Sequence, residues 1–160
     1  MIMENLFKNI KLIAFDVDGV FTDGRIYISD AGVESKAFYT QDGHGIRQIL
    51  EVGIKVAVIS GRKSQAVSMR MKELSIEDVY LGCKNKEATF QALLKKYSIR
   101  AMESAFVGDD IPDVKILKVV GLPIAVANAR SEVKKIAKYI TKNTGGSGAI
   151  REITDLLLKQ

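Results

Sequence analysis

The chain has 160 residues, 47% hydrophobic and 27% charged, with 13 Gly and 2 Pro. That composition suits one globular domain with a sizeable core and excludes disordered, collagenous and disulfide-framework classes, the last because Cys83 is the lone cysteine. The formal net charge is +5, from 24 basic and 19 acidic residues, but the basic residues are scattered among acids and there is no Trp. This pattern suits a small anionic substrate better than a nucleic acid. The longest nearly uncharged apolar run, Val119 to Ala129, is too short for a membrane span, and no apolar leader is read at the start. The expectation is a soluble, cytoplasmic domain over residues 1–160, with no membrane partner.

Taken in chain order, short apolar runs alternate with helical patterns. Ile10–Phe15 reads as a first strand, ending in Asp16-Val17-Asp18-Gly19-Val20-Phe21-Thr22-Asp23. From Gly24 to Tyr39 the rhythm breaks. Arg25–Ile28 and Glu34–Tyr39 flank Ser29-Asp30-Ala31-Gly32 and predict an inserted β-hairpin that presents apolar Ile26, Ile28 and Phe38. Ile46, Ile49 and Leu50 mark a helix, preceded by a loop over Tyr39–Gly43. Lys55–Ile59 is the next strand, closed by Ser60-Gly61-Arg62. A helix marked by Val67, Met71 and Leu74 leads to a strand at Asp78–Leu81. Then comes the clearest apolar stripe, Phe90, Leu93, Leu94 and Tyr97, on a helix running from Asn85. Ser104–Val107 is a strand ending in Gly108-Asp109-Asp110-Ile111-Pro112-Asp113. A short helix over Ile111, Val114 and Leu117 comes next, then a strand at Leu122–Val126 and helices near Val133–Ala137 and Ile150–Leu157. The near-continuous apolar strands point to parallel pairing covered on both faces. The predicted fold is an α/β sandwich with a central parallel sheet and a small inserted hairpin.

In such sheets ligands bind beyond the carboxyl ends of the strands. Collecting the residues there brings Asp16, Asp18, Ser60, Lys86, Asp109, Asp110 and Asp113 to one rim. Clustered carboxylates repel unless a cation compensates, and Asp16, Asp109 and Asp113 are hard oxygen donors suited to Mg²⁺. His44 is the lone histidine, so no His/Cys set competes for a softer metal. Lys86 stands at the start of its helix, where the macrodipole disfavours a cation, and such a local conflict marks a functional candidate. A metal site, a hydroxyl and an ammonium together equip a chain for phosphoryl transfer.

Asp16-Val17-Asp18-Gly19, Ser60, Lys86 and Gly108-Asp109-Asp110 resemble, in order, the four motifs of the haloacid dehalogenase superfamily. Phe15–Val20, Asp42-Gly43-His44-Gly45-Ile46-Arg47, Ile59–Lys63, Val107–Asp110 and Gly145–Glu152 narrow the resemblance to its capless branch, which acts on 3-deoxy-D-manno-octulosonate 8-phosphate in lipopolysaccharide precursor synthesis. That resemblance implies a three-layer, Rossmann-like sandwich. It implies Asp16 as the nucleophile forming an aspartyl-phosphate, and Asp18 as acid and then base. Mg²⁺ would be held by Asp16, the Asp18 main-chain carbonyl and Asp109, with Asp110 and Asp113 as lower-ranked ligands. Ser60 would hold a phosphoryl oxygen and Lys86 would neutralise the transferring group. Asp18, Asp42, Gly43, Arg47, Arg62, Arg70 and Lys86 would contact the substrate, the arginines because a sugar acid carries a carboxylate. Asp42 also fits a plain helix N-cap, and Arg47 and Arg70 fit ordinary helix surface.

The resemblance further implies a homotetramer, its hairpins forming a barrel and neighbouring chains roofing each site. The chain stops at Gln160, so any C-terminal tail reaching a neighbour is expected to be short. Two other function classes fit parts of the pattern. A nine-carbon sialic-acid-type 9-phosphate is an alternative substrate, although that branch tends to place an acidic residue where Arg62 stands. A non-enzymatic receiver-like phosphoaspartate module uses similar strand-end groups but lacks the second Asp, here Asp18. A catalytically idle regulatory domain fits poorly with the intact motif set.

Overall fold

The computed structural model describes residues 6–159. Its elements are β1 (Leu12–Phe15), β2 (Tyr27–Ile28), β3 (Glu34–Ser35), α1 (Thr40–Glu51), β4 (Lys55–Ser60), α2 (Gln65–Glu73), β5 (Asp78–Leu81), α3 (Lys86–Tyr97), β6 (Ser104–Gly108), α4 (Val114–Leu117), β7 (Leu122–Ala125), α5 (Ser131–Ile136), β8 (Tyr139–Ile140) and α6 (Ala149–Leu157). A six-stranded sheet runs β5-β4-β1-β6-β7-β8, every pair parallel, and β2 with β3 forms a separate antiparallel ribbon. β1, β6 and β7 are buried along their whole length, as expected for strands covered by helices on both faces. Phe15 meets Phe21 and Phe90 meets Phe106 edge to face, with ring centroids 5.5 and 6.2 Å apart.

The chain leaves β1 towards β4 and β5 on one side, and builds β6, β7 and β8 on the other. The reversal falls between β1 and β6, and a crevice therefore opens at their carboxyl ends. Every strand expected for the central sheet is present within a residue or two at its ends.

Four details differ from expectation. β8 was not foreseen, because a two-residue strand between Lys138 and Thr141 has no apolar run to betray it. The hairpin pairs only Tyr27–Ile28 with Glu34–Ser35. Phe38 packs against the core instead of standing out with Ile26 and Ile28, and so anchors the ribbon's base. Finally, Thr40–Gly43 is the first turn of α1, not a loop. Asp42 lies inside that helix, whose N-cap is Tyr39, so it is no N-cap of its own helix. Gly43 and Gly45 weaken this helix locally, yet a Cβ at either would strike Arg70 of α2 or Thr154 of α6. Close packing outweighs their cost of about 1 kcal/mol each in helix propensity.

Candidate active site

Asp16 and Asp18 sit in a tight loop just past β1. The Val17 carbonyl accepts from the amides of Val20, Phe21 and Thr22, and the buried Thr22 hydroxyl accepts from those of Gly19 and Gly24. Ser60 ends β4, Asp109 lies just past β6, and Lys86 opens α3, whose N-cap Asn85 accepts from the Ala88 amide at 3.1 Å. These elements deliver Asp16, Asp18, Ser60, Gly61, Arg62, Lys86, Asp109 and Asp110 to one cavity of about 330 Å³. A larger cavity beside α2 and β5, lined by Ser68, Lys72, Ser75 and Glu77, holds no comparable cluster.

Lys86 is nearly buried, and its ammonium lies 2.9 Å from Asp16 Oδ1 and 2.8 Å from Asp113 Oδ1. Burial pulls its pKa down, but the two carboxylates outweigh that and hold it above its ordinary value. The apparent conflict at the helix start is thus resolved by two counter-charges. Burial, and then the Asp113 charge, push Asp16 up to about 6 against the pull of Lys86. Burial, then Asp16, Asp113 and Asp110, push Asp109 up to about 7. Carboxylate oxygens of Asp16, Asp109 and Asp113 all lie within 4.8 Å of one another.

That crowding is what a hard divalent cation relieves, so the donor set fits Mg²⁺. Asp113 has its own work. Its Oδ1 accepts from Lys86, and its Oδ2 accepts from the Asp109 and Asp110 amides at 3.1 and 3.4 Å. Asp16 and Asp109 are the carboxylates left for a metal.

The substrate-contact candidates divide. Asp18, Arg62 and Lys86 line the cavity. Asp42 does not: it is buried, its Oδ1 accepts from the Arg151 amide at 2.8 Å, and it ties α1 to the start of α6. Burial raises its pKa to about 6. Gly43 lies under the Arg70 guanidinium, Arg70 pairs with Glu73 at 2.8 Å, and the exposed Arg47 donates to the Glu73 carbonyl at 3.1 Å. None of these four lines the cavity of the single chain.

Two features were missed in the sequence. Asn128 stands just past β7, where the strand-end rule would have found it. It donates to the Gly19 carbonyl at 3.0 Å and accepts from the Gly145 amide at 2.7 Å, clamping the glycine-rich loop 144–148 onto the Asp16 loop. A Cβ at Gly145 would lie 1.8 Å from the Gly19 carbonyl oxygen. Gly145→Ala is therefore expected to cost about 1–3 kcal/mol of stability and, by shifting the Asp16 loop, most of any activity. Thermal unfolding and turnover of the variant check this, and unchanged values in both would contradict the packing argument. The second missed feature is Lys36, which hydrogen-bonds Asp18 from the hairpin.

The haloacid dehalogenase-like hydrolase family profile matches residues 82–153. Over 151 residues the chain is 46% identical to 3-deoxy-D-manno-octulosonate 8-phosphate phosphatase KdsC of Escherichia coli K12, covering 94% of this chain and 80% of that one. It superposes with a TM-score of 0.95 on the Moraxella catarrhalis 3-deoxy-D-manno-octulosonate 8-phosphate phosphatase, crystallised with magnesium, phosphate and KDO. That pair shares 41% identity over 98% of this chain and 90% of that one. The cobalt-bound Haemophilus influenzae phosphatase gives a TM-score of 0.92 at 36% identity, over 96% and 90% of the two chains.

Proposed function

The chain belongs to the haloacid dehalogenase-like hydrolases, among the 3-deoxy-D-manno-octulosonate 8-phosphate phosphatases, and on that premise we propose that it hydrolyses this eight-carbon sugar-acid phosphate to the free acid and phosphate. It is a phosphoric monoester hydrolase acting on a small-molecule sugar phosphate with Mg²⁺ as cofactor. The observation that carries the reading is the convergence of Asp16, Ser60, Lys86 and Asp109 in one cavity, with Arg62 at its rim.

The proposed reaction has two halves. The Asp16 carboxylate forms a bond to phosphorus as the bond from phosphorus to the sugar oxygen breaks, and Asp18 gives that oxygen its proton. Asp18 then takes a proton from water, the water oxygen attacks phosphorus, and the bond to Asp16 breaks. Ser60 donates to a phosphoryl oxygen, and the Lys86 ammonium balances charge on the phosphoryl group and Asp16. Asp16, the Asp18 main-chain carbonyl and Asp109 would hold Mg²⁺, which when bound supplies a fixed positive charge against the phosphoryl oxygens.

Arg62 is the reader of the substrate carboxylate. Its side chain is half exposed and its terminal nitrogen lies 2.7 Å from Glu34 Oε2, so it can turn to a ligand acid without a large desolvation cost. Asp42, Gly43, Arg47 and Arg70 form a second candidate contact group on α1 and α2, outside the single-chain cavity, where a neighbouring subunit's substrate would reach them. A phosphate-release panel tests the substrate, comparing the eight-carbon 8-phosphate, a nine-carbon 9-phosphate and simple hexose phosphates. The eight-carbon ester is expected to show the highest kcat/KM; a nine-carbon preference would move the assignment to the sialic-acid branch.

No helix among the described residues is long and apolar enough to cross a membrane. The enzyme is read as a cytoplasmic one. The whole of residues 1–160 is read as one phosphatase domain. Its assembly is read as a homotetramer, because the hairpin leaves Ile28 70%, Val33 61% and Tyr27 51% exposed, an apolar surface that copies of the ribbon would bury on one another. Ile26→Asp combined with Ile28→Asp is expected to dissociate the assembly and lower activity together. Sedimentation of the wild type as a fully active monomer at low micromolar concentration would refute it.

A further inference from the structure

Lys36 lies just past β3, and its side chain is completely shielded from solvent. Its ammonium hydrogen-bonds Asp18 Oδ1 and stands 3.6 Å from Glu34 Oε1. The other Asp18 oxygen, Oδ2, faces Arg62 Nε at 3.6 Å, and Arg62 pairs with Glu34. Two acids and two bases therefore alternate around a closed ring, of which Asp18 and Arg62 line the cavity. An ammonium taken wholly out of water is tolerated only against well-placed counter-charges. Phe38, two residues on, is partly buried and packs against the core, which fixes the backbone that carries Lys36.

The two cations on Asp18 differ in freedom. Arg62 is half exposed, whereas Lys36 is enclosed and tethered. If Arg62 turns to the substrate acid, Lys36 is the group that still holds the Asp18 carboxyl in place. We propose that Lys36 is a positioning residue, which orients the Asp18 side chain towards the leaving sugar oxygen through the hairpin. This rests on the reading of Asp18 as the acid and base of the reaction.

The test exploits the leaving group. A sugar alkoxide needs a proton as it departs, whereas the phenolate of 4-nitrophenyl phosphate departs without one. Lys36→Met is expected to lower kcat on the eight-carbon 8-phosphate by on the order of 10²-fold, the scale of a misplaced catalytic group. KM should change little. The pre-steady-state burst of 4-nitrophenolate, which reports attack by Asp16 alone, should keep nearly the wild-type rate. Lys36→Gln should show the same asymmetry should the Met variant fold poorly, and Lys36→Arg should recover part of kcat.

Wild-type kcat on the sugar phosphate in a folded Lys36→Met protein, or a 4-nitrophenolate burst slowed as much as sugar-phosphate turnover in both neutral variants, would overturn the proposal. Asp18→Asn run alongside separates it from the reading of Asp18 as acid and base. An Asp18→Asn variant that releases sugar as fast as wild type overturns both of these, whereas a wild type that releases no phosphate from the eight-carbon ester overturns the phosphatase reading itself. Selective loss in Asp18→Asn without loss in the Lys36 variants overturns the positioning role alone.

Discussion

Asp16→Asn is expected to lower phosphate release by on the order of 10⁴–10⁶-fold, the scale seen when a nucleophile is removed from a catalytic unit. Asparagine keeps the shape of the side chain but its amide cannot displace the sugar oxygen from phosphorus. The fold should survive, because Lys86 keeps Asp113 as a counter-charge at 2.8 Å and remains paired. Stability should hold or rise in the absence of metal. The native pKa of Asp16 is raised to about 6. The cost to stability therefore builds as pH rises from the ordinary carboxylate range to that value and is complete above it, and a neutral amide removes the cost at pH 7. Circular dichroism, thermal unfolding and turnover on the purified variant check both halves. Near-wild-type turnover in the folded variant would end the covalent mechanism.

Metal removal is expected to have an effect of similar size. Exhaustive chelation should abolish turnover and Mg²⁺ should restore it. Ca²⁺ should restore little, since it takes more ligands at longer distances and would misplace the phosphoryl group relative to Asp16. A second readout is independent of activity. Mg²⁺ at a hundredfold excess over its Kd should stabilise the native protein by about 2.7 kcal/mol, visible as a raised unfolding midpoint. Asp109→Asn, which removes one of the carboxylates crowded against Asp16, should erase most of that shift. Full activity after chelation, with no metal-dependent midpoint, would contradict the assignment of the carboxylate cluster.

Much of this site was legible in the sequence, for a topological reason. Parallel strands all present their carboxyl ends to one edge, so residues just past successive strands meet in space. That logic brings Asp16, Ser60, Lys86 and Asp109 together from sequence alone. It extends equally to Asn128, which lies just past β7. Other features depend on how the chain folds back. Lys36 meets Asp18, and Glu34 meets Arg62, only because the ribbon folds back towards the β1 loop, and nothing in the local pattern of residues 33–38 encodes that approach. The start of α1 was obscured by Gly43 and Gly45, whose low helical propensity is offset by contacts with Arg70 and Thr154 far along the chain. The inward turn of Phe38 broke the expected alternation for the same kind of reason: packing against the core outweighs the register of a short, two-pair ribbon.

The central claim is that phosphate passes through the Asp16 carboxylate. The most direct measurement mixes excess enzyme with isotopically phosphate-labelled eight-carbon ulosonate 8-phosphate in Mg²⁺, quenches in acid within the first turnover, and maps the label on peptides. The account predicts a hydroxylamine-labile label on the peptide containing Asp16, formed before free phosphate appears and absent from Asp16→Asn. Free phosphate released at the full rate with no protein-bound label at any time point would contradict it.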